Sequence, residues 1–128
     1  MKHLLSLLTL AAFALATVPP VQAIGLQGDT GAATAAAGAA TLNKTAGAVT
    51  SEALTTAAGA AYTLTLTDDQ ITADSILIVN ADNGTNTTAG LAVGRITPAA
   101  GSAVILIWNR NAAAALNGTV KIRFAVVK

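Results

Sequence analysis

Between Val120 and Val126 every second side chain is large and apolar: Val120, Ile122, Phe124 and Val126 lie on one side, Lys121, Arg123 and Ala125 on the other. A period of two fits an extended strand, whose successive side chains point to opposite faces, and does not fit a helix. Tyr62, Leu64 and Leu66 repeat the pattern against Thr63, Thr65 and Thr67. Between these stretches Ile76-Leu77-Ile78-Val79 is a continuous apolar run, expected of a strand buried on both faces. Leu91–Thr97 and Val104–Trp108 are further strand candidates, the first stopped by Pro98 and a following Ala99-Ala100-Gly101 turn. Asn80–Gly90, rich in Asn, Asp, Gly and Thr, reads as a loop, and Asn117-Gly118 as a tight turn. With one more strand beginning near Val49, about six strands at roughly ten-residue spacing predict a small antiparallel β-sandwich or barrel over residues 49–128. The class is all-β.

Residues 24–48 have a different composition. The segment is Ala, Gly and Thr with few large side chains, namely Ile24, Leu26 and Leu42. Thr34–Thr41 is alanine-rich and a candidate helix, which Gly38 weakens by about 1 kcal/mol. Such a segment buries too little apolar surface to offset its ordering entropy alone. It is expected to be a flexible arm, or a segment ordered on a partner, that packs against or pairs with a neighbouring copy, with Ile24, Leu26 and Leu42 as its assembly contacts.

Residues 1–23 have the layout of a secretory signal peptide. Lys2 and His3 precede an apolar stretch, Leu4–Val18, and Pro19-Pro20 leads to Val21-Gln22-Ala23 with small residues before the cleavage point. The apolar stretch falls short of the roughly 20 residues that span a bilayer, so no membrane insertion is expected after cleavage. The destination is then secreted, cell-surface or periplasmic. Cleavage after Ala23 leaves six bases (Lys44, Arg95, Arg110, Lys121, Arg123, Lys128) and six acids (Asp29, Glu52, Asp68, Asp69, Asp74, Asp82). Zero net charge favours self-association over solubility and leaves no basic footprint for nucleic acid.

The remaining inventory argues against catalysis. The whole chain has no Cys and one His, which is His3 in the leader. Triad mechanisms and zinc sites built on imidazole or thiolate are thereby excluded from the mature chain. A pair of carboxylates could still hydrolyse a glycosidic bond, but such a hydrolase also needs aromatic platforms, and only Tyr62, Trp108 and Phe124 remain after the leader. The Asp68, Asp69 and Asp74 cluster and Asp82-Asn83-Gly84 match no EF-hand spacing and read as turn residues. No cofactor or metal is expected. Four Asn-x-Thr triplets, at Asn43, Asn83, Asn86 and Asn117, also read as turn chemistry. Alternation with Leu106 and Ile107 favours core burial of Trp108 over a surface anchor.

Several stretches resemble a domain of small phage and prophage structural proteins. They are Val49–Gly59 with Tyr62–Thr67, Asn83–Thr88, Thr97–Ser102 and Ala115–Thr119, together covering roughly residues 45–128. The resemblance implies a β-rich, non-enzymatic and oligomeric fibre or decoration module. Residues 1–23 depart from that pattern and imply an exported relative built on the same module. The leading expectation is therefore an exported structural subunit whose partner is itself, as a homo-oligomer or filament. The alternative is a secreted module binding a cell-surface glycan through Asn83, Asn86 and Trp108.

Overall fold

The structure, a computed structural model, describes residues 28–128. The stretch expected to be a leader, and Ile24 and Leu26, lie outside the described residues. Eight strands follow in order: β1 (Thr30–Thr34), β2 (Ala39–Thr41), β3 (Ala46–Thr50), β4 (Ala61–Thr67), β5 (Ile76–Asn83), β6 (Leu91–Ala99), β7 (Ser102–Asn109) and β8 (Val120–Val127). They form two four-stranded sheets, ordered β1-β3-β8-β5 and β2-β4-β7-β6, packed as a sandwich and not closed into a barrel.

The alternating segments fold as their period requires. Val120, Ile122, Phe124 and Val126 of β8 point inward and meet Leu64 and Leu66 of β4 and Ile105 and Ile107 of β7 in one core. Val49, Leu64, Leu66, Ile105, Ile107, Val120 and Ile122 are fully buried. The six expected strands correspond to β3–β8. Both sheets are mixed rather than antiparallel, because β1 pairs parallel with β3 and β2 parallel with β4.

The two extra strands come from the segment expected to be a flexible arm, and no helix forms over Thr34–Thr41. Residues 30–50 run from the first sheet to the second and back, lacing the layers together. Ala35, Ala40 and Leu42 enter the common core on the way. Alanine and glycine form strands poorly by themselves, so β1 and β2 are held by pairing with β3 and β4, not by propensity. Their smallness has a packing use: Leu42 sits over Gly47, where a Cβ would come within 2.6 Å of its Cδ2.

Three further expectations are corrected. Ile76–Val79 is not buried on both faces, because β5 is a sheet edge with one side toward the core: Leu77 is buried while Ile76 and Ile78 face solvent. The same strand runs on through Asn83 and takes in the first four residues of the expected Asn80–Gly90 loop. Pro98 does not stop β6, which extends to Ala99; as an edge strand it tolerates a residue lacking an N–H.

Candidate assembly surface

A sandwich with open sheets exposes strand edges, and an unpaired row of N–H and C=O groups invites another strand unless it is blunted. The edges here are β1 and β5 of one sheet and β2 and β6 of the other. Strand β2 has only three residues. Strand β6 carries Pro98, the exposed Arg95 and a register shift between Val93 and Ile96. Strand β1 has five residues with Gly31 inside it and starts beside the Lys44–Asp29 ion pair. Strand β5 has eight residues with no Pro, Gly, Lys or register shift.

The outer face of β5 is also the most apolar of the four edges. Ile76 is 65% and Ile78 56% exposed. In register, Ile76 lies opposite Val127 and Ile78 opposite Ala125, and Ala46 of β3 flanks Ala125 on its other side. The strip turns polar further along, where Asn80 lies opposite Arg123 and Asp82 opposite Lys121. Arg123 and Asp82 form an ion pair there. A shallow hollow between the two halves is lined by Ile78, Asn80, Arg123 and Ala125. Burying a side chain of this size is worth about 1.5–3 kcal/mol when complete, so the two isoleucines represent unused association energy. No protein-family model, curated protein or solved structure matches this chain.

The residues singled out from sequence fall elsewhere. Leu42 is 9% exposed and committed to its own chain's core, so it is not a contact for a neighbour. Asn86 is likewise not at the surface. Its Nδ2 donates to Asn83 Oδ1 at 2.7 Å and to the Thr88 carbonyl at 2.8 Å. Its Oδ1 accepts the Asn117 N–H at 3.0 Å and the Thr88 N–H at 3.3 Å. Both ends of the amide are thus occupied, tying the loop after β5 to the segment before β8. Asn83 is exposed, with its side-chain oxygen engaged by Asn86. Asn43 and Asn117, expected as turn residues, instead bond across the fold, Asn43 Oδ1 accepting the Asp69 N–H and Asn117 Oδ1 the Thr87 N–H, and Asn117-Gly118 is no tight turn, because Gly118 is drawn into a β-bridge with Leu54.

Trp108 is not in the core. The alternation along β7 sends Ile105, Ile107 and Asn109 inward and leaves Leu106 and Trp108 half-buried on the outer face of the second sheet. The Arg110 guanidinium stacks on the indole, 5.0 Å from the ring centroid. Across the sheet the ring leans over Gly94, where a Cβ would fall 2.5 Å from Nε1. Trp108 and Asn83 therefore belong to different sheets and do not converge. Replacing Gly94 by Val is expected to lift the indole off the sheet. As Trp108 is the only tryptophan, the readout is a red shift of intrinsic fluorescence with the unfolding transition retained; an unchanged spectrum would contradict the packing described.

The carboxylates are dispersed over the described residues. Glu52 is structural: its Oε1 accepts the Gly38 N–H and its Oε2 the Tyr62 hydroxyl at 2.9 Å, clasping the lacing segment to β4. Burial, then the hydrogen bond to Glu52, pushes the Tyr62 phenol well up. Asp68 is fully buried; its Oδ1 accepts the Gln70 N–H at 2.9 Å and its Oδ2 has no partner. Burial, reinforced by Asp69, raises its carboxyl above the usual aspartate range. An acid raised in the folded state binds an extra proton there, so stability is full below the unfolded value and falls as pH climbs through the folded one. Asp68→Asn is expected to remove that decline, so that variant and parent diverge with rising pH in denaturant titrations. Parallel curves would contradict it.

Proposed function

We propose that this chain is an exported, non-catalytic structural subunit that works by associating with copies of itself, in the manner of a fibre or decoration module. The observation that carries the reading is the unblunted β5 edge with Ile76 and Ile78 turned to solvent. Monomeric proteins seldom leave a long, flat, apolar edge open, because it templates further strand pairing. The equal counts of acids and bases after residue 23 add to this, since no net repulsion keeps copies apart. The resemblance to phage structural domains and the leader-like start support the same reading from the sequence side. A glycan partner has less support, because the Asn86 amide and the Trp108 ring are engaged within the fold. Sedimentation velocity of the purified protein over a hundredfold concentration range tests the proposal. The sedimentation coefficient is expected to rise with concentration toward that of an oligomer, and a constant monomer value would overturn it.

A further inference from the structure

We infer that the association is a two-fold one, in which β5 of one copy pairs antiparallel with β5 of a second, and the two four-stranded sheets become one continuous sheet. This rests on the self-association reading above and adds which edge meets which.

The occupant follows from what the isoleucines need. Covering Ile76 and Ile78 takes large apolar side chains on the outer face of an edge strand. The register places Thr30, Ala32 and Thr34 on that face of β1, and Ala39 and Thr41 on that of β2. It places Ala92, Thr97 and Ala99 on the outer face of β6. None of these is larger than threonine, and the one long exposed side chain of β6, Arg95 in its register shift, is charged. Among the edge strands of the described residues, only β5 supplies what β5 lacks, so the surface is complementary to itself, as an isologous interface requires.

Charge and register agree with this. Pairing centred on Ile78 sets the two copies of Ile78 side by side, with each Ile76 on the diagonal and opposite Asn80. The overlap then runs from Ile76 to Asn80, and the Asp82–Arg123 ion pairs stay outside it at opposite ends. At about 3.4 Å per residue the two Asp82 are roughly 27 Å apart, beyond the Debye length at physiological salt. Each Asp82 falls beyond the paired segment, near the turn that holds the second copy's Asp74, and keeps its own counter-ion in Arg123. Ala125 and Val127 continue the apolar strip behind each β5.

The chain has no cysteine, so a single introduced thiol reports the contact directly. Directly opposed residues of an antiparallel pair lie about 4.5–5.5 Å apart at Cα, within disulfide range. Ile78→Cys is expected to form a covalent dimer under mild oxidation. Ala32→Cys on β1 and Val104→Cys on the other sheet are expected to stay monomeric in denaturing electrophoresis. Ile78→Lys, at a solvent-facing position, should melt like the parent and raise the dimer dissociation constant by at least ~10-fold, because like charges would be opposed. Crosslinking of Ile78→Cys only when mixed with Ala32→Cys would show head-to-tail pairing and overturn the two-fold. Association that neither crosslinks at position 78 nor responds to the lysine would overturn the β5 edge while leaving self-association standing. A protein that never associates would remove both.

Discussion

Deleting residues 28–44 is expected to leave a chain with no cooperative unfolding transition. The cut removes β1 and β2, and with them Ala35, Ala40 and Leu42 from the core. It also strips β3 and β4 of their parallel partners, creating two new edges on strands that are otherwise internal. Small domains are stable by only about 5–15 kcal/mol, and losing two strands plus the lacing between sheets exceeds what such a margin absorbs. A milder version isolates one side chain. Leu42→Ala should cost about 2–4 kcal/mol, because the surroundings of a buried leucine relax only partly around the cavity. Thermal unfolding followed by far-ultraviolet circular dichroism measures both. A deletion variant that melts like the parent would mean that residues 28–44 are an appendage.

The second large effect is expected at Asn86. Asn86→Ala removes a side chain that is 3% exposed and leaves the N–H groups of Thr88 and Asn117 without their acceptor. Buried polar groups left unsatisfied cost about 1–3 kcal/mol each. The whole change should therefore approach ~3 kcal/mol after local relaxation. Urea titration reads it directly as a lower midpoint. The exposed Asn83→Ala change loses only one of these bonds and is expected to have a smaller effect. Equal midpoints for Asn86→Ala and the parent would show that the loop does not depend on this hub.

The parts of the fold legible in the sequence are those where side-chain size alternates. Strands β4 and β8 could be placed within a residue or two because Leu64, Leu66, Val120, Ile122 and Phe124 each face a core that selects for bulk. Strands β1 and β2 carried no such signal. Their inward residues are Gly31, Ala33 and Ala40, small because β1 and β2 close over larger neighbours. A strand whose identity is fixed by its pairing partner looks, one residue at a time, like linker. The candidate surface was hidden for a related reason. Ile76-Leu77-Ile78-Val79 is equally consistent with a strand covered on both sides and with an edge strand awaiting a partner, and only sheet order distinguishes them. Asn86 reads in sequence as a loop asparagine, and nothing local distinguishes a surface amide from one bridging to a backbone N–H 31 residues away.

The Asn86 and Leu42 placements also alter what the molecule has available for contact. With those side chains inside, the described surface offers the β5 edge as its main unsatisfied apolar feature. Amide hydrogen exchange, recorded on the purified protein at low and at high concentration, tests that feature most directly. Protection is expected to grow with concentration at Ile76–Asn80 while amides of β6, the adjoining edge of the other sheet, exchange at the same rate throughout. Exchange along β5 that is independent of concentration would contradict the account.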